Sequence, residues 1–204
     1  MPPIRTIFFD VGGVLLTNGW DRLERKSVFD HFGIECASVE ERHAASNDAW
    51  ERGDISVWEY LDHTVFFQPR DFTPQQFFEA MQQQSAVLTN SALEVLETLA
   101  ARKIHKRVML NNESAELNDY RIQQFNLAPL FDSFLCSAYV AMRKPDVRMF
   151  QMALQVTQTA PESAVFIDDR KENCDGARKA GMHAIQYDSP EQLTSELRDL
   201  SVDL

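Results

Sequence analysis

The stretch TIFFDVGGVLLTN (residues 6–18) decides the fold. It continues an apolar run, IRTIFF (4–9), that stops at a single carboxylate, Asp10, and two glycines follow one residue later. Continuous apolar character, as opposed to alternation, suits a strand buried on both faces of a parallel sheet. In open α/β sheets ligands bind outside the carboxyl ends of the strands, so an acid at this tip is a candidate for chemistry.

Working outward, HKRVML (105–110), SAVFI (163–167) and HAIQY (183–187) read as further strands, and SFLCS (133–137) as a weaker fifth. Helical patterns lie between them at 91–103, 114–126, 146–157, 171–180 and 190–200. In the first, Leu93, Leu96, Leu99 and Ala100 form one stripe, with Asn90 or Ser91 available as a cap. Strand–helix alternation predicts a doubly wound α/β fold with a mainly parallel, five-stranded sheet. Residues 19–87 break the rhythm: they hold no convincing strand but helical stretches at 20–32, 38–52, 56–67 and 74–84. So long and apolar a segment is not a loop; it reads as a small helical unit inserted after the first strand.

The 204 residues fit one domain carrying a smaller insert. No apolar run reaches the ~18 residues that suggest a membrane span. The start, MPPIRTIFFD, is too short and too acidic at its end for a signal peptide, and three scattered cysteines (Cys36, Cys136, Cys174) suit reduced thiols. The expected location is cytoplasmic. A net charge of −11 argues against nucleic acid as a partner, while leaving room for a small anion in a cleft holding local cations.

Polar groups gather at the predicted strand tips. Asp10 follows the first strand, Asn111 and Asn112 follow RVML, Asp168 and Asp169 follow AVFI, and RKPD (143–146) sets Lys144 before a helix. Three acids converging without a cation would repel, which implies a bound divalent ion. Oxygen ligands without His or Cys favour Mg²⁺ over zinc.

The set FFDVGGVL, VMLNNES, RKPDVRMF and VFIDDRKENCDGARKAGM, in this order, resembles the four motifs of the haloacid dehalogenase superfamily, in the subfamily with an inserted helical cap. The resemblance implies a core of residues 1–16 plus 88–204 and a cap of 17–87 that closes over the strand tips. It implies that Asp10 is the nucleophile, forming an aspartyl phosphate, and that Lys144 holds Asp10 and the transferring phosphoryl group. Mg²⁺ would be held by Asp10, the Gly12 backbone carbonyl, Asp169 and Asp168, and the phosphate by Asn111, Asn112 and Lys144. Asn111 stands where the family usually has Ser or Thr. Asn173 would fix the acidic loop.

The resemblance departs at Gly12. Most phosphatases of the family carry a second Asp there, which protonates the leaving oxygen and then activates water. Losing an acid–base group costs ~10²–10⁴-fold in rate. The loss matters least for activated esters such as acyl, aryl or sugar 1-phosphates. Asp21 is a candidate substitute acid, Asn18 a positioning group, and Trp20 the aromatic nearest the strand tip. The expected activity is a Mg²⁺-dependent phosphohydrolase acting on a small phosphorylated metabolite. Two alternatives stay open: a weak or inactive binding protein of the same fold, and a dehalogenase, against which the paired acids of the last motif argue. None of the five histidines is given a role.

Overall fold

The computed structural model describes residues 2–204. The strand β1 (Thr6–Phe9) is followed by α1 (Arg22–His31), α2 (Cys36–Glu51), α3 (Val57–Thr64) and α4 (Pro74–Gln82) before the next strand. Then come α5 (Leu93–Arg102), β2 (Lys106–Asn111), α6 (Ala115–Gln124), β3 (Ser133–Cys136), the short α7 (Ser137–Val140) and α8 (Val147–Thr157). The chain ends with β4 (Ala164–Asp168), α9 (Lys171–Lys179), β5 (His183–Gln186) and α10 (Pro190–Asp199).

All five strands pair in parallel, in the order β3-β2-β1-β4-β5. Every residue of β1 is buried, as expected for the central strand of a sheet covered on both faces. One layer packs Ile7, Phe9, Met109 and Val165 against α5 and α10 through Leu96, Leu99, Leu193 and Leu197. The other packs Phe8, Val108 and Phe166 against α8 and α9 through Phe150, Ala153 and Ala177. Strand order reverses at β1, whose neighbours are β2 on one side and β4 on the other. The tips of these strands therefore border the crevice where doubly wound sheets take ligands.

Helices α1–α4 gather a separate apolar cluster around Trp20, Phe29, Trp50, Tyr60 and Phe77, joined by Leu117 of α6. Their ends are set by local chemistry. Ser56 with Glu59, and Thr73 with Gln76, form capping boxes at α3 and α4, and Pro74 occupies the first turn of α4. At α5 the cap differs from the expectation of Asn90 or Ser91: the N-cap is Ala92. The Ser91 hydroxyl still accepts from the Leu93 N–H (3.2 Å) at the helix start, and it donates to the Leu15 carbonyl (2.7 Å), fastening α5 to the chain that leaves β1. Among the described residues no helix is long and apolar enough to cross a membrane.

Candidate active site

Register brings the acids together before any side chain is considered. Phe9 pairs with Ile167, and the Asp10 N–H donates to the Ile167 carbonyl (2.9 Å), so Asp10 leaves its strand level with Asp168. Asp10, Asp168 and Asp169 each present a carboxylate oxygen within 4.8 Å of the other two. Lys144, from the turn between α7 and α8, reaches between them with a fully buried side chain. Its Nζ lies 2.9 Å from Asp10 Oδ1 and 2.7 Å from Asp168 Oδ2.

Burial pushes the Asp10 carboxyl up to about 8, against the pull of Lys144 and with Asp168 adding to the rise. Burial opposes the charge on Lys144, but the two carboxylates outweigh it and hold its pKa above the ordinary value. Asp169 is raised by burial and by Asp168. Ionised together, the three acids would outnumber the one lysine by two negative charges, the deficit a divalent cation fills, and the raised Asp10 carboxyl is the sign of that deficit. Arg170, the other cation nearby, is half-exposed and turned onto Asp21 (3.1 Å). Asp169 Oδ1 is buried without a hydrogen-bond partner, an orphan acceptor suited to a metal. The donor set, all carboxylate oxygen, fits Mg²⁺.

The two glycines after Asp10 do different things. Gly13 has φ +72°, and a Cβ there would overlap the Asp169 carboxylate, so only glycine lets that acid close on the site. A Cβ on Gly12 would lie 2.9 Å from Asn18 Oδ1, so Asn18 fills the space that a side chain at position 12 would enter.

The remaining predicted residues divide by what they touch. Asn173 donates to both oxygens of Asp168 (3.0 Å each), and the Arg170 N–H adds a further bond (2.9 Å), which fixes the acidic loop. The N-cap of α9 is Arg170, so the Asp168 carboxylate accepts from the start of that helix without being its cap. Asn111 is buried at the cavity wall, its Nδ2 3.4 Å from Asn118 Oδ1. Asn112, expected at the phosphate, spends both ends of its amide on the Lys144 backbone (2.9 Å each) and so holds the lysine's turn. Asp21 caps α1 and pairs with Arg170, which commits both of its oxygens. Trp20 is buried in the insert's cluster and also borders the cavity.

A cavity of about 300 Å³ opens over Asp10, Gly12 and Lys144, and α1 and α2 roof it with Arg25, His43, Asn47 and Glu51. These four went unread in the sequence because α2, CASVEERHAASNDAWE, carries no continuous apolar stripe from which to infer its inward face. Glu113 and Arg121 were also missed. They form a buried pair (3.1 Å) on the cavity wall, and Arg121 also donates to the Thr17 carbonyl where the chain enters the insert. Burial pushes the Glu113 carboxyl up to about 7, opposed by Arg121. Helices α1, α2 and α3 are fastened to the sheet layer by Arg170 on Asp21, Arg143 on Asp48 (2.8 Å) and the Val57 N–H on Glu116 (2.9 Å).

Comparison with known proteins gives these observations a setting. Residues 4–181 match the family model described as haloacid dehalogenase-like hydrolase. A mouse protein named acyl-CoA dehydrogenase family member 10 is 29% identical over 96% of this chain but only 19% of its own length. A sesquiterpene phosphatase of Aspergillus oryzae is 27% identical over 52% of this chain and 54% of its own. The chain therefore spans between about a fifth and a half of these relatives. Among solved structures, a HAD-family enzyme of Bacteroides thetaiotaomicron, crystallised with magnesium and inorganic phosphate, superposes with a TM-score of 0.78. It is 21% identical, and the match covers 91% of this chain and 95% of that one.

Proposed function

This chain belongs to the haloacid dehalogenase-like hydrolase family, and we propose that it is a magnesium-dependent phosphohydrolase acting through an aspartyl phosphate on Asp10. The observation that carries this reading is Lys144 Nζ held between Asp10 (2.9 Å) and Asp168 (2.7 Å), beside an Asp169 oxygen with no partner. Phosphatase relatives and a structural neighbour bound to magnesium and phosphate support it.

In this reading the helices α1–α4 are a cap, and the unit of residues 17–87 closes on a core of 1–16 plus 88–204. Asp10, Asp168, Asp169 and the Gly12 carbonyl hold the metal, which when bound supplies positive charge that screens the approach of two anions. One Asp10 oxygen attacks phosphorus, the P–O bond to the leaving group breaks, and that oxygen departs with the bonding pair. Lys144 orients Asp10 and stabilises the charge that develops on the phosphoryl oxygens. Asn112 keeps the Lys144 turn in place, Asn111 donates to a phosphoryl oxygen, and Asn173 holds Asp168. Water then attacks phosphorus, releasing inorganic phosphate and restoring Asp10.

Gly12 brings no proton-moving group, and Asn18, in the space beside it, is an amide that hydrogen-bonds without transferring a proton. The substrates favoured are therefore phosphates with stable leaving groups, sugar 1-phosphates and aryl phosphates before simple alkyl esters. Displacement of halide by a carboxylate needs no metal, so the metal-suited cluster of three acids argues against a dehalogenase.

With added Mg²⁺ the protein is expected to hydrolyse an aryl phosphate, to stop on chelation, and to leave a chloroacid untouched. Failure on the aryl phosphate, with Mg²⁺ present, overturns the reading. Gly12→Asp alone is expected to gain less, because its Cβ would lie 2.9 Å from Asn18 Oδ1 and that side chain must first move aside. Gly12→Asp with Asn18→Gly opens the space and is expected to raise kcat on an alkyl phosphate by about 10²-fold. An equal gain from the single variant would show that Asn18 moves aside without cost and does not limit what position 12 can carry.

A further inference from the structure

His43 lies on α2 in the roof of the cavity, where nothing in its sequence context pointed to a role. Its ring belongs to a chain of hydrogen bonds. Trp20 Nε1–H donates to the Tyr60 hydroxyl oxygen at 2.8 Å, and His43 Nδ1 lies 2.8 Å from the same oxygen. Tyr60 is itself buried, its ring stacked on Trp50 at 4.1 Å between centroids.

These contacts fix the position of a proton. A phenol has one hydrogen to give, and Trp20 N–H is donor only. With the Tyr60 oxygen already accepting from Trp20, its own hydrogen goes to His43 Nδ1. The other tautomer would aim two N–H groups at one oxygen and leave the buried Tyr60 hydrogen without an acceptor, which is unfavourable. His43 therefore carries its proton on Nε2, which has no partner among the described residues while the ring lines the cavity.

The surroundings keep this imidazole neutral. Burial pushes its pKa down to about 4, Arg25 adds to the fall, and Glu40 and Asp21 pull the other way without reversing it. Arg25 is not free to do the same work: its guanidinium is committed to Glu40 (2.8 and 2.9 Å) and the Trp20 carbonyl (2.7 Å). Around it the roof is polar, with Asp21, Arg25, Asn47 and Glu51 beside one aromatic, Trp20. A hydrocarbon leaving group would find no apolar bed there. An oxygen-rich one would find a fixed donor.

We propose that His43 determines specificity, its Nε2–H donating to a hydroxyl oxygen of the leaving group, so that among phosphates with stable leaving groups the cavity selects sugar 1-phosphates over aryl phosphates. The inference rests on the phosphohydrolase reading for what lies below His43, and it adds the class of leaving group.

The test compares two ligands, glucose 1-phosphate and phenyl phosphate, which differ in whether the leaving group has oxygens to offer. Calorimetric Kd values are measured with Mg²⁺ on Asp10→Asn protein, with and without His43→Ala, and kcat/KM on the Asp10 enzyme. His43→Ala is expected to weaken glucose 1-phosphate about 3- to 10-fold, the value of one hydrogen bond, and phenyl phosphate by less than about two-fold. Tyr60→Phe, which frees the proton to move to Nδ1, shifts glucose 1-phosphate in the same direction. His43→Gln keeps an N–H donor and recovers part of the loss; it also carries the comparison if His43→Ala does not fold. Equal change for both ligands, no change for either, or no binding of glucose 1-phosphate to any form overturns the proposal. If the binding difference is found but the Asp10 enzyme hydrolyses neither ester, the phosphohydrolase reading fails and the recognition role stands.

Discussion

Replacing Lys144 with methionine is expected to abolish turnover and to cost the metal-free protein about 3–5 kcal/mol, the usual penalty for stranding buried charge. The lysine side chain is fully buried and touches two carboxylates, at 2.9 and 2.7 Å. Methionine fills much of the same volume, so the loss comes from charge and not from a cavity. Without the cation, Asp10 and Asp168, at the tips of adjacent strands, have no compensation between them, and Asn173 and the Arg170 N–H still hold Asp168 in place. For a chain of this size the penalty corresponds to a fall in Tm of roughly 6–20 °C. Thermal unfolding in chelator measures it, and added Mg²⁺ is expected to narrow the gap by restoring part of the missing positive charge. A Lys144→Met protein with the wild-type Tm would mean that the ion pairs around Asp10 are not what holds the strand tips together.

Asp10→Asn separates chemistry from folding. The amide matches the carboxylate in size, and removing one of three clustered acids relieves repulsion among the rest. The protein is therefore expected to fold with an unchanged or higher Tm. Turnover of an aryl phosphate, by contrast, is expected to fall on the order of 10⁴–10⁶-fold, as when a nucleophile is removed from a machinery otherwise intact. The Asn side chain keeps one oxygen but loses the charge that attacks. Steady-state rates with matched melting curves check both halves. A variant that keeps more than about a tenth of the wild-type rate is too active for Asp10 to be the nucleophile.

The sheet was legible because its strands are buried on both faces. IRTIFF and SAVFI are mostly apolar runs that close on IFF and AVFI, and each ends where a polar group must meet the crevice, so strands and site candidates were read together. The break in rhythm after residue 19 was equally plain, since four helical stretches cannot be a loop. What stayed hidden depends on approach between distant parts of the chain. Gly13 looks like any turn glycine until Asp169 is seen to occupy the place of its Cβ. Asn18 gains meaning only from its position beside Gly12, and Asn112 looked like a phosphate ligand until its amide was found on the Lys144 backbone. His43 is one histidine among five, and only Tyr60, 17 positions away, and Trp20 give its ring a direction. Hydrophobic periodicity reports which face of a helix is buried. It does not report which polar side chain on α2 meets a cavity roofed by two helices.

The absence of a proton-moving side chain at Gly12 gives the central claim a direct test. Water attack on the phosphorylated enzyme lacks the base that would speed it, so phosphoryl-Asp10 is expected to accumulate during turnover. Rapid acid quenching of the wild-type protein with Mg²⁺ and an aryl phosphate, followed by peptide mass spectrometry, reads this in one experiment. The account predicts a phosphoryl group on the peptide holding Asp10, absent in chelator and absent from Asp10→Asn. Steady hydrolysis with Asp10 unmodified at every quench time, or the phosphoryl group on another residue, would contradict it.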